Sequence, residues 1–251
     1  MKLPEIKIEI EGSNDFTEEY FSVGNAGIIF DILRNKLYSN AVESLCREYA
    51  SNARDAMREV GNFTDPIEIH FPNSFDNNFK IKDYGPGISK NRMSDVFIKY
   101  GNSTKRGDNI QLGSYGCGAK SAYSYTNSFS IITISKENNI NTKCTYIAYL
   151  DDTSSGKMRL VREEITTEPT GTDIIIPVQD KDIQAFIDGT LKSTHYWPVR
   201  PLLFGLSPEP EYIDTVGDLL ATGSSWKIYN VKNSGYNTYN RPKAESLAII
   251  D

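Results

Sequence analysis

No apolar run in the 251-residue sequence approaches the roughly 20 residues that a bilayer-spanning helix requires, so a transmembrane-helix reading is excluded. Two histidines cannot supply a His-rich metal centre. The three cysteines, Cys46, Cys117 and Cys144, are odd in number, widely spaced and without a CxxC pair, which argues against a disulfide framework and for a reducing compartment. Basic charge is also in short supply. With 27 Lys+Arg against 33 Asp+Glu the formal charge is −6, so strong general nucleic-acid binding through a basic surface is not expected. The N-terminal MKLPEIKIEIEG lacks the apolar core of a signal peptide, and a cytoplasmic, soluble protein is expected. What is present suffices for a core: 39% hydrophobic residues with 24% charged ones exclude a disordered chain.

Hydrophobic periodicity divides the chain. Alternation at Ile6, Ile8 and Ile10 predicts a half-exposed strand, and Ile28, Ile29, Ile32 and Leu33 have helical spacing. Ser39–Asn40 offers an N-cap for a long helix to about Val60, stopped by Gly61. Strands are expected at 67–71, 79–82, 129–135, 144–150, 159–166 and 172–178, with helices near 91–98, 119–125 and 180–196. Cys46 is placed on a buried helix face and Cys144 in a strand, both as small hydrophobes. Residues 207–251 lose the pattern, broken by Pro208, Pro210, Gly217, Gly223 and Gly235, and the terminal ESLAIID reads as mid-strand. The expected division is a domain over 1–206 and the start of a second, or a C-terminal extension, over 207–251; the chain reads as the front part of a longer protein.

On a wheel of about 100° per residue, Leu45, Cys46, Tyr49, Ala50, Ala53, Ala56, Met57 and Val60 form the apolar sector of the long helix. Arg47, Arg54 and Arg58 gather on one polar flank; Glu48, Asn52 and Asp55 gather on the other. Such a trio is an ordinary solvated flank in many helices. Two acids one or two turns apart nevertheless repel unless something neutralises them, and an amide oxygen with phosphate oxygens and water suits Mg²⁺.

Two glycine elements follow. Asp83-Tyr84-Gly85-Pro86-Gly87 sits at the end of the strand FKIK, where a carboxylate could accept a hydrogen bond from an exocyclic amine such as that of adenine. Gly113-Ser114-Tyr115-Gly116-Cys117-Gly118-Ala119-Lys120-Ser121 approaches the P-loop pattern. Ala119 is inserted before the lysine, however, and the preceding RGDNIQL is a poor buried strand. The loop can still offer backbone amides to phosphate. Thr172, opening the strand DIIIPV, could point its hydroxyl at a ligand beside Asp83 if strands 78–83 and 172–178 are neighbours.

In order, REYASNARDA, DYGPGIS, LGSYGCGAKSAY and TGTDIIIPV resemble the four nucleotide-binding motifs of the GHKL (Bergerat-fold) ATPase superfamily, which includes DNA gyrase B, the Hsp90 chaperones, histidine kinases, MutL proteins and MORC ATPases. LYSNAVESLCREYASNARDA and GSYGCGAKSAYSYTNSFSI followed by YIAYLDD are most similar to the phage rIIA-type family, and STKR within 101–107 is similar to MORC and Hsp90 lids. The resemblance implies an α/β (α+β) two-layer sandwich, with a mixed, mostly antiparallel sheet and helices on one face.

It implies equally specific roles. Glu48 would activate water, Asn52 would ligate Mg²⁺, and Asp55 would line the pocket behind it. Asp83 would receive the adenine amine with Thr172 assisting through a water. Gly85 and Gly87 would keep the base slot open, with Ile88 beside them. Residues 100–118 would form a lid whose Gly113, Gly116 and Gly118 deliver amides to the phosphates, with Ser114, Tyr115, Cys117 and Ala119 also against the nucleotide and Lys105 and Lys120 as phosphate-facing cations. The implied cofactors are ATP and Mg²⁺. The implied activity is that of an ATPase whose closing lid drives an ATP-dependent homodimer or engagement of a host or phage protein; the alternative is a nucleotide-sensing module without useful hydrolysis. The rIIA-type resemblance adds action on host physiology or lysis control, in the host cytoplasm, with peripheral association with the envelope. The histidine-kinase branch fits poorly, because neither His70 nor His195 lies in a phosphoacceptor helix.

Overall fold

The computed structural model describes residues 40–93, 118–151, 156–208, 210–212, 216–223, 226–231 and 246–250. The expected elements at 5–11 and 27–37, most of the helix at 91–98 and the lid through residue 117 lie outside them.

Helix α1 runs Ala41–Glu59. Asn40 caps it by accepting the Glu43 amide at 3.1 Å, while the Asn40 side-chain amide donates back to the Glu43 carboxylate at 3.2 Å. Gly61 and Asn62 close the other end through N–H bonds to the Arg58 and Met57 carbonyls. The predicted core face holds at Leu45, Cys46, Tyr49, Ala50, Ala53 and Met57, with Ala56 only half-buried. Val60, expected in that sector, is 49% exposed because it lies past the last helical residue. Ser44 and Asp55 depart the other way and are buried. The helix is enclosed on more than its apolar side, by the sheet, by a second helix and by a 3₁₀ turn.

The sheet has seven strands: β1 Glu68–His70, β2 Asn78–Asp83, β3 Ser128–Glu137, β4 Ile140–Leu150, β5 Gly156–Thr166, β6 Gly171–Pro177 and β7 Leu202–Phe204. Their order is β5-β4-β3-β6-β2-β1-β7, antiparallel except for the parallel β1–β7 pair. It is the expected mixed sheet. Period-two alternation puts Phe79, Ile81 and Asp83 of β2, Thr172, Ile174 and Ile176 of β6, and Phe129, Ile131 and Thr133 of β3 on the buried side. Helix α2, Ile183–Thr194, packs on α1 over that core, with Phe186 fully buried against Phe79 at 4.9 Å between ring centroids. The predicted helix 180–196 divides into a 3₁₀ turn, Asp180–Asp182, and α2. The predicted apolar helix 119–125 is a 3₁₀ helix, Gly118–Ser124, lying along α1.

Strand β7 was not anticipated, since three residues carry no readable period. Residues 216–250 contain a separate three-stranded sheet, β10-β9-β8, of Ser246–Ile250, Trp226–Val231 and Val216–Thr222. Its strand Ser246–Ile250 falls in the ESLAIID run read as mid-strand, while the other two were hidden by Gly217 and Gly223.

The turn after β2 is pressed between α1 and β3. A Cβ at Gly85 would stand 2.7 Å from the backbone of Ala56, and one at Gly87, where φ is +69°, would stand 2.0 Å from the Ile134 carbonyl oxygen. Gly61 has a similar φ of +77° but open space around it. Gly87→Ala is therefore expected to destabilise the fold by at least about 2 kcal/mol, through left-handed strain plus a backbone clash. Gly61→Ala should cost only about 1 kcal/mol of strain. Urea denaturation of the two variants measures the difference, and equal losses would show that the turn is not packed as described.

Candidate functional site

Asp83 is the last residue of β2 and the Cα partner of Thr172, the second residue of β6. The neighbour relation on which the Thr172 reading depended is therefore present. Both side chains face the buried side of the sheet, at 6% and 8% exposure. One Asp83 carboxylate oxygen accepts the Gly85 amide at 2.8 Å. Among the described residues no cation pairs with it. Burial, with smaller contributions from the Asp173 and Glu59 charges, pushes its carboxyl up to about 7 from 3.8, against the pull of the Gly85 and Thr172 backbone amides.

The turn carrying this aspartate is held at several points. The Tyr84 amide meets the Met57 sulfur of α1 at 3.1 Å, and the Ile88 amide donates to Thr133 Oγ1 of β3 at 2.7 Å. Gly85 and Gly87 serve close backbone approach to α1 and β3, in addition to any role in keeping a slot clear.

Glu48, Asn52 and Asp55 lie on one flank of α1. Glu48 and Asn52 are half-buried and Asp55 is 1% exposed. The sequence placed no cation between the two acids. In the structure Arg47 Nη2 reaches Glu48 Oε1 at 3.2 Å, from the adjacent residue. Arg54, on the opposite flank, stacks over Trp197 at 4.3 Å and ties the segment after α2 to α1.

Lys120 is 7% exposed within the 3₁₀ helix. Gly118 and Ala119 begin that helix. Lys105 and 113–117 lie outside the described residues.

Two polar residues escaped the sequence reading. Thr133 is 1% exposed, and its hydroxyl lies 3.3 Å from Thr172 Oγ1 and 3.3 Å from the Gly171 carbonyl oxygen. Its signal was a threonine in phase with Phe129 and Ile131 on a core-facing strand position. Ser121 is 1% exposed, and its hydroxyl has no hydrogen-bond partner among the described residues.

A carboxylate buried at a strand end with only backbone amides as described partners suits a ligand that brings hydrogen-bond donors. The family profile described as "Histidine kinase-, DNA gyrase B-, and HSP90-like ATPase" matches residues 27–176. The chain belongs to that family and carries a GHKL-type, nucleotide-binding ATPase domain. No curated protein sequence matches the chain. No helix among the described residues is long and apolar enough to cross a membrane.

The Asp83 shift has a consequence for stability. An unfolded aspartate titrates near 3.8 and the folded one near 7, so the folded chain holds the extra proton between those values. This group's penalty is absent below about 4, grows as pH rises through the window, and is complete above about 7. Asp83→Asn removes the charge and keeps an acceptor for the Gly85 amide. It is expected to raise stability above pH 7, by up to about 4 kcal/mol, and to flatten the pH dependence between the two values. Urea unfolding across that range checks it; an Asn variant less stable than the parent at neutral pH would contradict the assignment.

Proposed function

We propose that the chain binds ATP with its base against Asp83 and its phosphates along the Glu48–Asn52–Asp55 stripe of α1, and hydrolyses it with Glu48 as general base. The observation that carries this reading is Asp83: a carboxyl buried at 6% exposure with only backbone amides as described partners is costly alone and well matched to an amine donor. Thr172 stands beside it to complete the base contact. Glu48, with 27% of its side chain exposed, is reachable by a water at the phosphate end. Its Oε1 is engaged by Arg47, leaving Oε2 to take the proton.

Asn52 fits a Mg²⁺ ligand by its chemistry, a half-buried amide oxygen between two carboxylates. Among the described residues no group of three or more His, Cys, Asp or Glu is arranged to hold a metal ion, so Asn52 would share the ion with phosphate oxygens and water. Bound there, Mg²⁺ supplies neutralisation of phosphate charge. The glycine-rich segment before the 3₁₀ helix is read as the lid, with Lys105 in it and Lys120 just beyond it as phosphate-facing cations. Residues 207–251 are read as a second unit that receives the closure and passes it to a dimer or to a partner protein. The rIIA-type likeness of the sequence supports a phage protein acting on host physiology or lysis control, in the host cytoplasm or at the inner face of its envelope. A second reading, a sensing module without useful turnover, is favoured by the Arg47–Glu48 contact, which competes with water for the proposed base.

Calorimetric titration of ATP with Mg²⁺ is expected to show micromolar-to-millimolar binding that Asp83→Asn abolishes. Paired with the predicted gain in stability of that variant, loss of binding reports the pocket rather than the fold. Glu48→Ala should leave ATP affinity within about threefold and remove hydrolysis. Unchanged slow turnover in Glu48→Ala would favour the sensing module, and undiminished binding in Asp83→Asn would remove the base pocket from Asp83.

A further inference from the structure

Thr133 and Thr172 are Cα partners on β3 and β6, both buried, with their hydroxyl oxygens 3.3 Å apart. A threonine hydroxyl has one proton and two lone pairs. The Ile88 amide takes one lone pair of Thr133 Oγ1 at 2.7 Å. The Thr133 proton then has two acceptors at the same distance: the Gly171 carbonyl oxygen and Thr172 Oγ1, each 3.3 Å away. When it goes to Thr172, the Thr172 proton is left for a ligand, and Thr172 donates. When it goes to Gly171, Thr172 can give its own proton to Thr133 and turn lone pairs to the ligand, and Thr172 accepts. Both arrangements leave each hydroxyl proton bonded.

The ligand in question is the purine base of the reading above, on which this inference rests. A 6-aminopurine offers an amine donor beside a ring-nitrogen acceptor, and a 6-oxopurine offers an oxygen acceptor beside a ring N–H donor. Asp83 as a carboxylate with Thr172 as donor reads the first edge. Asp83 as a carboxylic acid with Thr172 as acceptor reads the second. We propose that Thr133 is a specificity-determining positioning residue, which makes Thr172 reversible and thereby admits 6-oxopurine nucleotides as a second ligand class at the same site. Burial, with Asp173 and Glu59 as nearby acids, already favours the protonated Asp83 that this second mode needs. Without the Thr133 hydroxyl, Thr172 can accept from a base only by leaving its own proton buried and unbonded, a cost that falls on the 6-oxo mode alone.

The test titrates ATP and inosine triphosphate, which differ only at this purine edge, into the full chain and into Thr133→Val and Thr133→Ser. The parent is expected to bind both. Thr133→Val should weaken inosine triphosphate about tenfold more than ATP, the scale of one unmade buried hydrogen bond, and Thr133→Ser should restore the parental ratio. Equal weakening of the two nucleotides would mark Thr133 as a purely structural clamp and overturn the proposal. So would a parent that binds ATP but not inosine triphosphate. A parent that binds neither overturns the base-pocket reading itself. If the valine variant does not fold, Thr133→Cys takes its place, since a thiol is a poor donor and acceptor of similar bulk. A parental ratio in that variant would equally overturn the inference.

Discussion

Everything that defines the site hangs on how closely the turn after β2 approaches helix α1 and strand β3. The Gly85 and Gly87 positions have no room for a Cβ, the Tyr84 amide rests on Met57, and the Ile88 amide rests on Thr133. Each contact joins the turn to a different part of the core: the helix bearing Glu48, Asn52 and Asp55, or the strand that pairs with Thr172's own. Asp83 and the α1 flank are thus positioned by one packed unit, and a shift of the turn would move Asp83 relative to the helix and to β3. Pre-organisation of this kind limits what ligand binding must order.

The same packing works against the charge it positions. Asp83 is carried below the surface with two backbone amides for support and with acids, not cations, as its charged neighbours. A structure selected for stability alone would place an amide or an apolar residue there. Strain or unmet charge of this sort gathers where a ligand later supplies the missing partner. Asp173, on the other face of β6, is also raised by burial, but Lys82 lies across from it as its Cα partner on β2 and pulls the other way. The contrast separates a buried acid that the protein itself compensates from one it leaves to something else.

Much of this was legible in the sequence. Alternation located β1 to β6, and the cap residues Asn40 and Gly61 located α1 to within a residue or two. Ordered motifs identified the superfamily, whose profile covers residues 27–176. The failures have physical causes. A helical wheel assumes one buried face, so it could not foresee that Ser44 and Asp55 would be enclosed as well, and it extended the apolar sector to Val60 beyond the helix. Strand β7 exists because the parallel register with β1 is available, with Phe71 and Leu202 amides bonding across it, and not because three residues favour extension. Thr133 read as one more β-branched strand residue. Only the fold shows that its hydroxyl meets a turn amide and a second threonine.

The two ends of the site differ in construction, and this bears on how binding and turnover relate. The proposed base end is buried, formed by adjacent strands and fixed by backbone contacts. The proposed phosphate end is a helix flank on which Glu48 remains partly exposed and accepts a hydrogen bond from Arg47 at Oε1. Changes on the flank, including a different rotamer of Arg47, can alter the access of water to Glu48 without disturbing Asp83 or Thr172. Under the proposed function, affinity would be built into the core of the domain, and catalytic rate into a surface that other segments or partners could complete. A nucleotide sensor and an ATPase could share the proposed base pocket, and the environment of Glu48 would then divide them.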